Sequence, residues 1–153
     1  MIKKFKCPHC NKGFQKIVSH DFLVELPYSR VTILNAEYFE CENCKEKALG
    51  ESLISKINEI ETKEAKKILL TIRKGKELET KAVLFLRQLS GLRAVDLAHK
   101  IKISKSTISN WDKKNTKLPY HLSLLLGNLF ANKLGFVAIG KSIHNDLEMM
   151  IAA

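Results

Sequence analysis

The sequence predicts an α+β protein, mainly helical, with a small β-rich module ahead of a helical bundle. Three observations carry this reading. Two Cys-x-x-Cys pairs, Cys7/Cys10 and Cys41/Cys44, bracket a stretch rich in β-branched and aromatic residues. From Glu51 onward, apolar residues recur at three- and four-residue intervals. Positive charge is concentrated late in the chain: residues 76–133 hold 11 bases against 4 acids, a net of +7 within a total of +10.

At 153 residues the chain accommodates one full domain or two small ones. A hydrophobic content of 45% excludes wholesale disorder. No apolar run reaches the ~18 residues of a membrane helix. The opening MIKKFKCPHC turns polar at once, unlike a signal peptide, so a cytoplasmic location is expected. So basic a chain meets a polyanion or an acidic partner, or else uses its charge for solubility; charge alone does not separate these.

The N-terminal module comes first. Thirty residues separate Cys7-Pro8-His9-Cys10 from Cys41-Glu42-Asn43-Cys44. Zinc takes four soft ligands in a tetrahedron, and each Cys-x-x-Cys turn offers two thiolates to one ion. Cys7, Cys10, Cys41 and Cys44 thus form a closed shell for one structural Zn per chain. Disulfides or redox chemistry are the alternatives, and the lack of an export signal favours metal. His9 could replace a thiolate, but with four cysteines present it reads as solvated. Phe22, Val24 and Leu26 alternate before Pro27, and Val31–Phe39 runs into the second turn. A sheet between two such knuckles is a zinc ribbon, residues 1–50. Its expected core is Phe14, Ile17, Phe22, Val24, Val31, Ile33, Tyr38 and Phe39, thin enough to need the metal for folding.

Residues 51–75 read as a helical linker and interface. Leu53, Ile54, Ile57, Ile60, Ile68, Leu69 and Ile72 form its apolar stripe. Glu61-Thr62-Lys63-Glu64 interrupts that stripe, with Thr62 placed to cap a second helix, and Gly75 ends it.

The third region, residues 76–153, reads as four helices and a tail. Thr80 is placed to cap the first, whose apolar face is Val83, Leu84, Leu86 and Leu89, and Ser90-Gly91 stops it. The second spans Ala94–Ile101. After Lys102-Ile103, Ser104 caps a third helix over Lys105–Asp112. Leu97, Ala98, Ile103, Ile108 and Trp111 lock these two together. Pro119 opens a fourth helix lined by Leu122, Leu125, Leu126, Leu129 and Phe130. In the tail Ile139, Ile143, Leu147 and Met150 fall at helical spacing, for packing on the fourth helix or a dimer seam.

The segment LRAVDLAHKIKISKSTISNWDKK resembles the helix-turn-helix of the Xre and lambdoid-repressor family. Combined with the Cys-x-x-Cys ribbon and the Pro27-Tyr28…Tyr38 neighbourhood, the chain resembles the MqsA (YgiT-type zinc finger) antitoxin family; its last twenty residues are not covered. The resemblance implies a lambda-repressor-like helix-turn-helix bundle following the zinc ribbon. It places Lys105, Ser106, Ser109 and Asn110 at base-reading positions. MqsA-like proteins tend to carry Asn and Arg where Ser106 and Asn110 stand. Ala94 occupies the site of the family's phosphate-binding Gln, with Arg93 as the substitute. Lys102 stands where the turn usually has Gly, at a strain of ~1 kcal/mol if left-handed. Asp112 stands at the position of the family's acid, which implies an ion pair with Arg87 on the first helix.

The chemistry of these residue types agrees. The major groove accepts one α-helix, where Asn pairs bidentately with adenine and Lys donates to guanine. Lys113, Lys114 and Lys117 follow the helix, where phosphates would pass, giving register and salt-dependent affinity, and the resemblance adds Arg93 and Ser104 as phosphate contacts. By resemblance, the protein is a zinc-binding transcriptional repressor and the antitoxin of a type II toxin–antitoxin pair. As a homodimer it would bind a near-palindromic double-stranded DNA operator, neutralise a cognate protein toxin and repress its own operon, nucleoid-associated when DNA-bound. The alternatives are a stand-alone Xre-type regulator without a toxin, or a zinc-ribbon interaction protein that no longer binds DNA. No P-loop, Rossmann fingerprint, zincin motif or nucleophile elbow is present, so no enzyme is expected.

Overall fold

The computed structural model describes residues 4–136. Four antiparallel strands, in sheet order β1-β2-β3-β4, precede five helices. The strands are β1 (Phe5–Lys6), β2 (Phe14–Glu25), β3 (Arg30–Cys41) and β4 (Lys47–Ala48). The helices are α1 (Glu51–Arg73), α2 (Thr80–Leu89), α3 (Ala94–Ile101), α4 (Lys105–Lys113) and α5 (Tyr120–Lys133). The chain divides into two compact units between Thr62 and Lys63, inside α1.

The first unit is organised by the β2–β3 hairpin, whose register runs from Gln15↔Cys41 to Glu25↔Arg30. β1 and β4 flank it only beside the cysteines. The pairing shifts between His20↔Ala36 and Phe22↔Ile33, so Leu34 and Asn35 oppose Asp21 alone. Asn35 takes the left-handed conformation (φ 49°), and its amide donates to Asp21 Oδ1 at 3.0 Å. This bulge moves the inward positions of β3 from odd (Val31, Ile33) to even (Ala36, Tyr38), while β2 keeps Val18, Phe22 and Val24 inward. Ala36 and Tyr38 pack with Val18, Phe22 and Ile33 against Leu49, Leu53 and Ile57. The Phe22 and Tyr38 rings meet edge to face, centroids 5.9 Å apart. Two residues of the expected core lie outside it: Phe14 is 39% exposed and Ile17 63%. Ile17 pairs with Phe39 and, one residue from Val18, points to the other face.

The residue 51–75 region is one helix of 23 residues, not two. Thr62 lies inside it and caps nothing. A threonine caps only where the chain leaves helical dihedrals, and the glutamates and lysine around it are strong helix formers. Gly75 (φ 80°) closes α1, its amide bonding Ile72 O at 2.9 Å. Beyond the boundary α1 contributes Ala65, Ile68, Leu69 and Ile72 to the core of the second unit, so this stretch is more than a linker.

That core also takes Leu78, Ala82, Val83 and Leu86 around α2, Leu97, Ala98 and Ile101 from α3, Ile108 from α4, and Leu126, Phe130 and Ala131 from α5. Gly127 lets α5 approach α1: a Cβ there would stand 2.7 Å from Ile72 Cδ1. Leu125, expected on the apolar face of α5, is 49% exposed because it lies off the Leu126–Phe130 stripe. Arg87 and Asp112 form the expected ion pair at 3.0 Å. Thr80 is not the N-cap of α2. Glu79 holds that position without a side-chain cap bond, and Thr80 is its buried first residue. The reason is tertiary: Leu78–Thr80 runs antiparallel to Thr116–Leu118, with Leu118 N on Leu78 O (2.8 Å) and Thr80 N on Thr116 O (2.9 Å). The expected tail helix over Ile139–Met150 lies outside the described residues. Among the described residues, no helix is long and apolar enough to cross a membrane.

Candidate metal centre and basic helical surface

The two cysteine knuckles are built alike. The residue after each second cysteine is left-handed, Asn11 at φ 53° and Lys45 at φ 63°. Its amide closes the turn on the first cysteine's carbonyl: Asn11 N to Cys7 O at 2.9 Å, and Lys45 N to Cys41 O at 3.1 Å. Gly13 N donates to Cys10 Sγ (3.4 Å) and Cys44 N to Cys41 Sγ (3.5 Å). β2 and β3 then bring the knuckles together, with Glu42 N on Phe14 O at 3.1 Å. All four sulfurs lie within 4.8 Å of one another, a set that could hold a metal ion.

The spacing discriminates between the chemistries. Cys7 Sγ stands 3.7 Å from Cys44 Sγ, and Cys10 Sγ 3.7 Å from Cys41 Sγ. A disulfide needs ~2.0 Å. A tetrahedron with metal–sulfur bonds of ~2.3 Å has edges of ~3.8 Å. Both distances exceed a disulfide and match that edge, so the set of four sulfurs could hold one ion. Their electrostatics agree. The amides of Gly13 and then Lys12 stabilise the Cys10 thiolate and bring its pKa down to about 5. At Cys44 the Glu46 amide also favours the thiolate, but desolvation and the neighbouring Cys41, Cys7 and Cys10 outweigh it and push the thiol up to about 12. A central cation would offset that repulsion and allow four thiolates at once.

Gly13 escaped the sequence reading. A Cβ at this position would stand 2.6 Å from Cys41 Sγ and 2.7 Å from Asn43 Cβ. Only glycine lets the first knuckle approach the second this closely. The available signal was a lone glycine three residues after Cys10.

In the second unit, α3 ends on Lys102, which is left-handed (φ 55°, ψ 46°), and Ile103 N returns to Ala98 O at 3.0 Å. Ser104 caps α4, accepting from Thr107 N at 3.2 Å. Its hydroxyl also meets those of Ser106 (2.9 Å) and Thr107 (2.8 Å). Ile108 anchors α4 in the core, with Trp111 packed beside it. Lys105, Ser106 and Asn110 are exposed and Ser109 is half-buried. Lys113 ends the helix, Lys114 follows it in extended conformation, and both are exposed, as is Lys117. Arg93 is exposed at the N-cap of α3, and its guanidinium holds Asp96 through two bonds of 2.8 and 3.0 Å. That partner keeps the Asp96 carboxyl below the usual range.

Sequence reasoning also missed Asn115. Its side-chain oxygen accepts from Lys81 N at 3.1 Å, capping α2 from outside, and its amide donates to Glu79 Oε2 at 2.7 Å. No family model, curated protein or solved structure matches this chain.

Proposed function

We propose that this protein is a zinc-binding, sequence-specific transcriptional repressor and the antitoxin of a type II toxin–antitoxin pair. The observation that carries the DNA-binding part is the surface of α4. Ile108 fixes the helix, Lys105, Ser106 and Asn110 are exposed, and Lys113, Lys114 and Lys117 follow. On this reading α3 and α4 form a helix-turn-helix. α4 enters the major groove, Lys105, Ser106, Ser109 and Asn110 meet base edges, and Ser104 and the later lysines meet phosphates. Arg93 reaches a phosphate only by sharing or leaving Asp96. The four-cysteine cluster takes one structural zinc, for which its ~3.8 Å tetrahedral edge is the fit.

The antitoxin part rests on the resemblance and on one further feature. Ile17, Leu23 and, at the bulge, Leu34 (69% exposed) leave apolar surface on the first unit, of the kind that marks protein interaction sites. The protein works in the cytoplasm as a homodimer on a near-palindromic operator in its own promoter.

The test is a binding titration on the DNA upstream of its own reading frame against a scrambled duplex. It is joined to co-expression with the neighbouring reading frame. Operator preference with steep salt dependence, and rescue from a toxic neighbour, are the expected results. Equal affinity for both duplexes overturns the repressor reading. A harmless neighbour that does not co-purify leaves a stand-alone Xre-type regulator. The zinc-ribbon interaction protein is favoured by one observation: Arg93 and Ser106 already have intramolecular partners. It predicts no DNA binding at all.

A further inference from the structure

We propose that Asn115 and Thr80 are positioning residues for phosphate contact, clamping the lysine-bearing segment after α4 onto the start of α2. The proposal rests on the DNA-binding reading above. A segment leaving a helix C-terminus with three lysines would ordinarily be a mobile, solvated loop, and ordering it on DNA would cost chain entropy. Here that ordering is built in.

The first-turn amides of a helix have no partners within the helix. In α2, Glu79 provides no side-chain cap bond. Val83 N makes the first regular helical bond, to Glu79 O at 3.2 Å, and of the three amides before it Ala82 N reaches the same carbonyl at 3.0 Å. The other two amides are taken by the segment after α4: Thr80 N by Thr116 O at 2.9 Å, and Lys81 N by Asn115 Oδ1 at 3.1 Å. The bonding is reciprocal. The fully buried Thr80 donates its hydroxyl to Lys114 O at 3.1 Å and accepts from Thr116 N at 2.9 Å. Asn115 donates to Glu79 Oε2 at 2.7 Å, and Leu118 N to Leu78 O at 2.8 Å. Lys114 and Thr116 are thus fixed through their backbones, which leaves the Lys113, Lys114 and Lys117 side chains exposed on a rigid base. Such pre-organisation adds affinity for any duplex, because phosphates carry no sequence information.

A double-mutant cycle separates this from a purely structural role. Full-length protein is titrated on operator and scrambled duplexes, as wild type and as Asn115→Ala. The same pair is then compared in a background where Lys113, Lys114 and Lys117 are all alanine. Thermal melts establish that each variant folds; Thr80→Val, which removes the other half of the clamp, replaces Asn115→Ala if the latter does not. The expected result is a loss of about 3- to 10-fold on both duplexes in the wild-type background, and less than about 2-fold in the lysine-free background. Thr80→Ser keeps the hydroxyl and should retain wild-type affinity, whereas Thr80→Val should behave like Asn115→Ala. Equal losses in both backgrounds, or no loss in the first, overturn the proposal. A wild-type protein that binds no duplex overturns the DNA reading itself, and the proposal with it.

Discussion

The Cβ that Gly13 lacks would stand 2.6 Å from Cys41 Sγ, inside any tolerable contact. Cys41 cannot simply retreat. Its amide is tied to Glu46 O at 2.9 Å, and its strand position is paired with Gln15. Gly13→Ala should therefore push the two knuckles apart and misplace one of the four ligands. Metal affinity should fall by about 10- to 100-fold, the range seen when the groups that orient metal ligands are altered. Competition with a chromophoric chelator measures it, and wild-type affinity in the variant would contradict the assignment.

Metal removal should unfold one unit and spare the other. The first unit has a thin core around Ala36, Tyr38 and Leu53, whereas the second buries seventeen hydrophobic residues in one cluster. A metal site contributes folding free energy directly in a domain this small. Chelation, or Cys41→Ser, should collapse the amide dispersion of residues 4–50 in NMR spectra and leave α2–α5 resonances in place. Simultaneous loss of both sets would show that the second unit depends on the metal.

Lys102 offers a gain of stability. It holds a left-handed conformation that costs a non-glycine residue about 1 kcal/mol. Lys102→Gly should relieve this strain, partly offset by the greater freedom of glycine in the unfolded chain. Chemical denaturation should show a net stabilisation of roughly a few tenths of a kcal/mol. A destabilised variant would mean that the lysine side chain itself contributes to the turn.

The Glu79 carboxyl is held below the usual range, first by the hydrogen bond from Asn115 and then by Lys81 and Lys117. A depressed folded-state pKa gives stabilisation that is present above the ordinary carboxylate range and lost as pH falls through the folded value. Asn115→Ala should move the Glu79 titration midpoint upward toward the ordinary value. Carboxyl-detected NMR follows it, and an unmoved midpoint would show that the lysines alone set it.

How much of this was legible depended on whether the controlling interactions were local. α3 and the start of α4 could be read directly, because Ser104 is a strong cap and the apolar spacing of Leu97, Ala98, Ile101 and Ile108 is helical. The four-cysteine cluster was legible because Cys-x-x-Cys geometry is local. Ile17 was misplaced although alternation with Phe22 and Val24 on β2 already puts it on the other face; Phe39, its partner, was grouped with Val31 and Ile33 because nothing local reveals the bulge at Asn35, which resets the inward face of β3. Thr80 was misread for a related reason. Its hydroxyl serves a segment 34–36 residues away, and nothing near it in sequence announces Lys114 and Thr116 as partners. Gly13 and Asn115 act across the same kind of distance and leave no pattern in their own neighbourhoods.

Base contacts and phosphate contacts on the α4 surface should respond differently to substitution. Asn110 is exposed on α4, and Lys114 is exposed just beyond its last residue, Lys113. An asparagine aimed at adenine makes two hydrogen bonds that other bases cannot reproduce, worth about 1–3 kcal/mol of discrimination. Asn110→Ala should thus weaken operator binding by that amount and barely change binding to a scrambled duplex. Lys114 would release one condensed counterion whatever the sequence, so Lys114→Ala should weaken both duplexes alike and reduce the salt slope by about 0.9. In a two-fold dimer the paired α4 helices would stand roughly 34–36 Å apart on a near-palindrome, so these figures are per half-site and the whole operator shows each of them twice. Titrations at several salt concentrations read both quantities. An Asn110→Ala variant that loses equally on both duplexes would place Asn110 on the backbone, and the proposed register of α4 in the groove would fall.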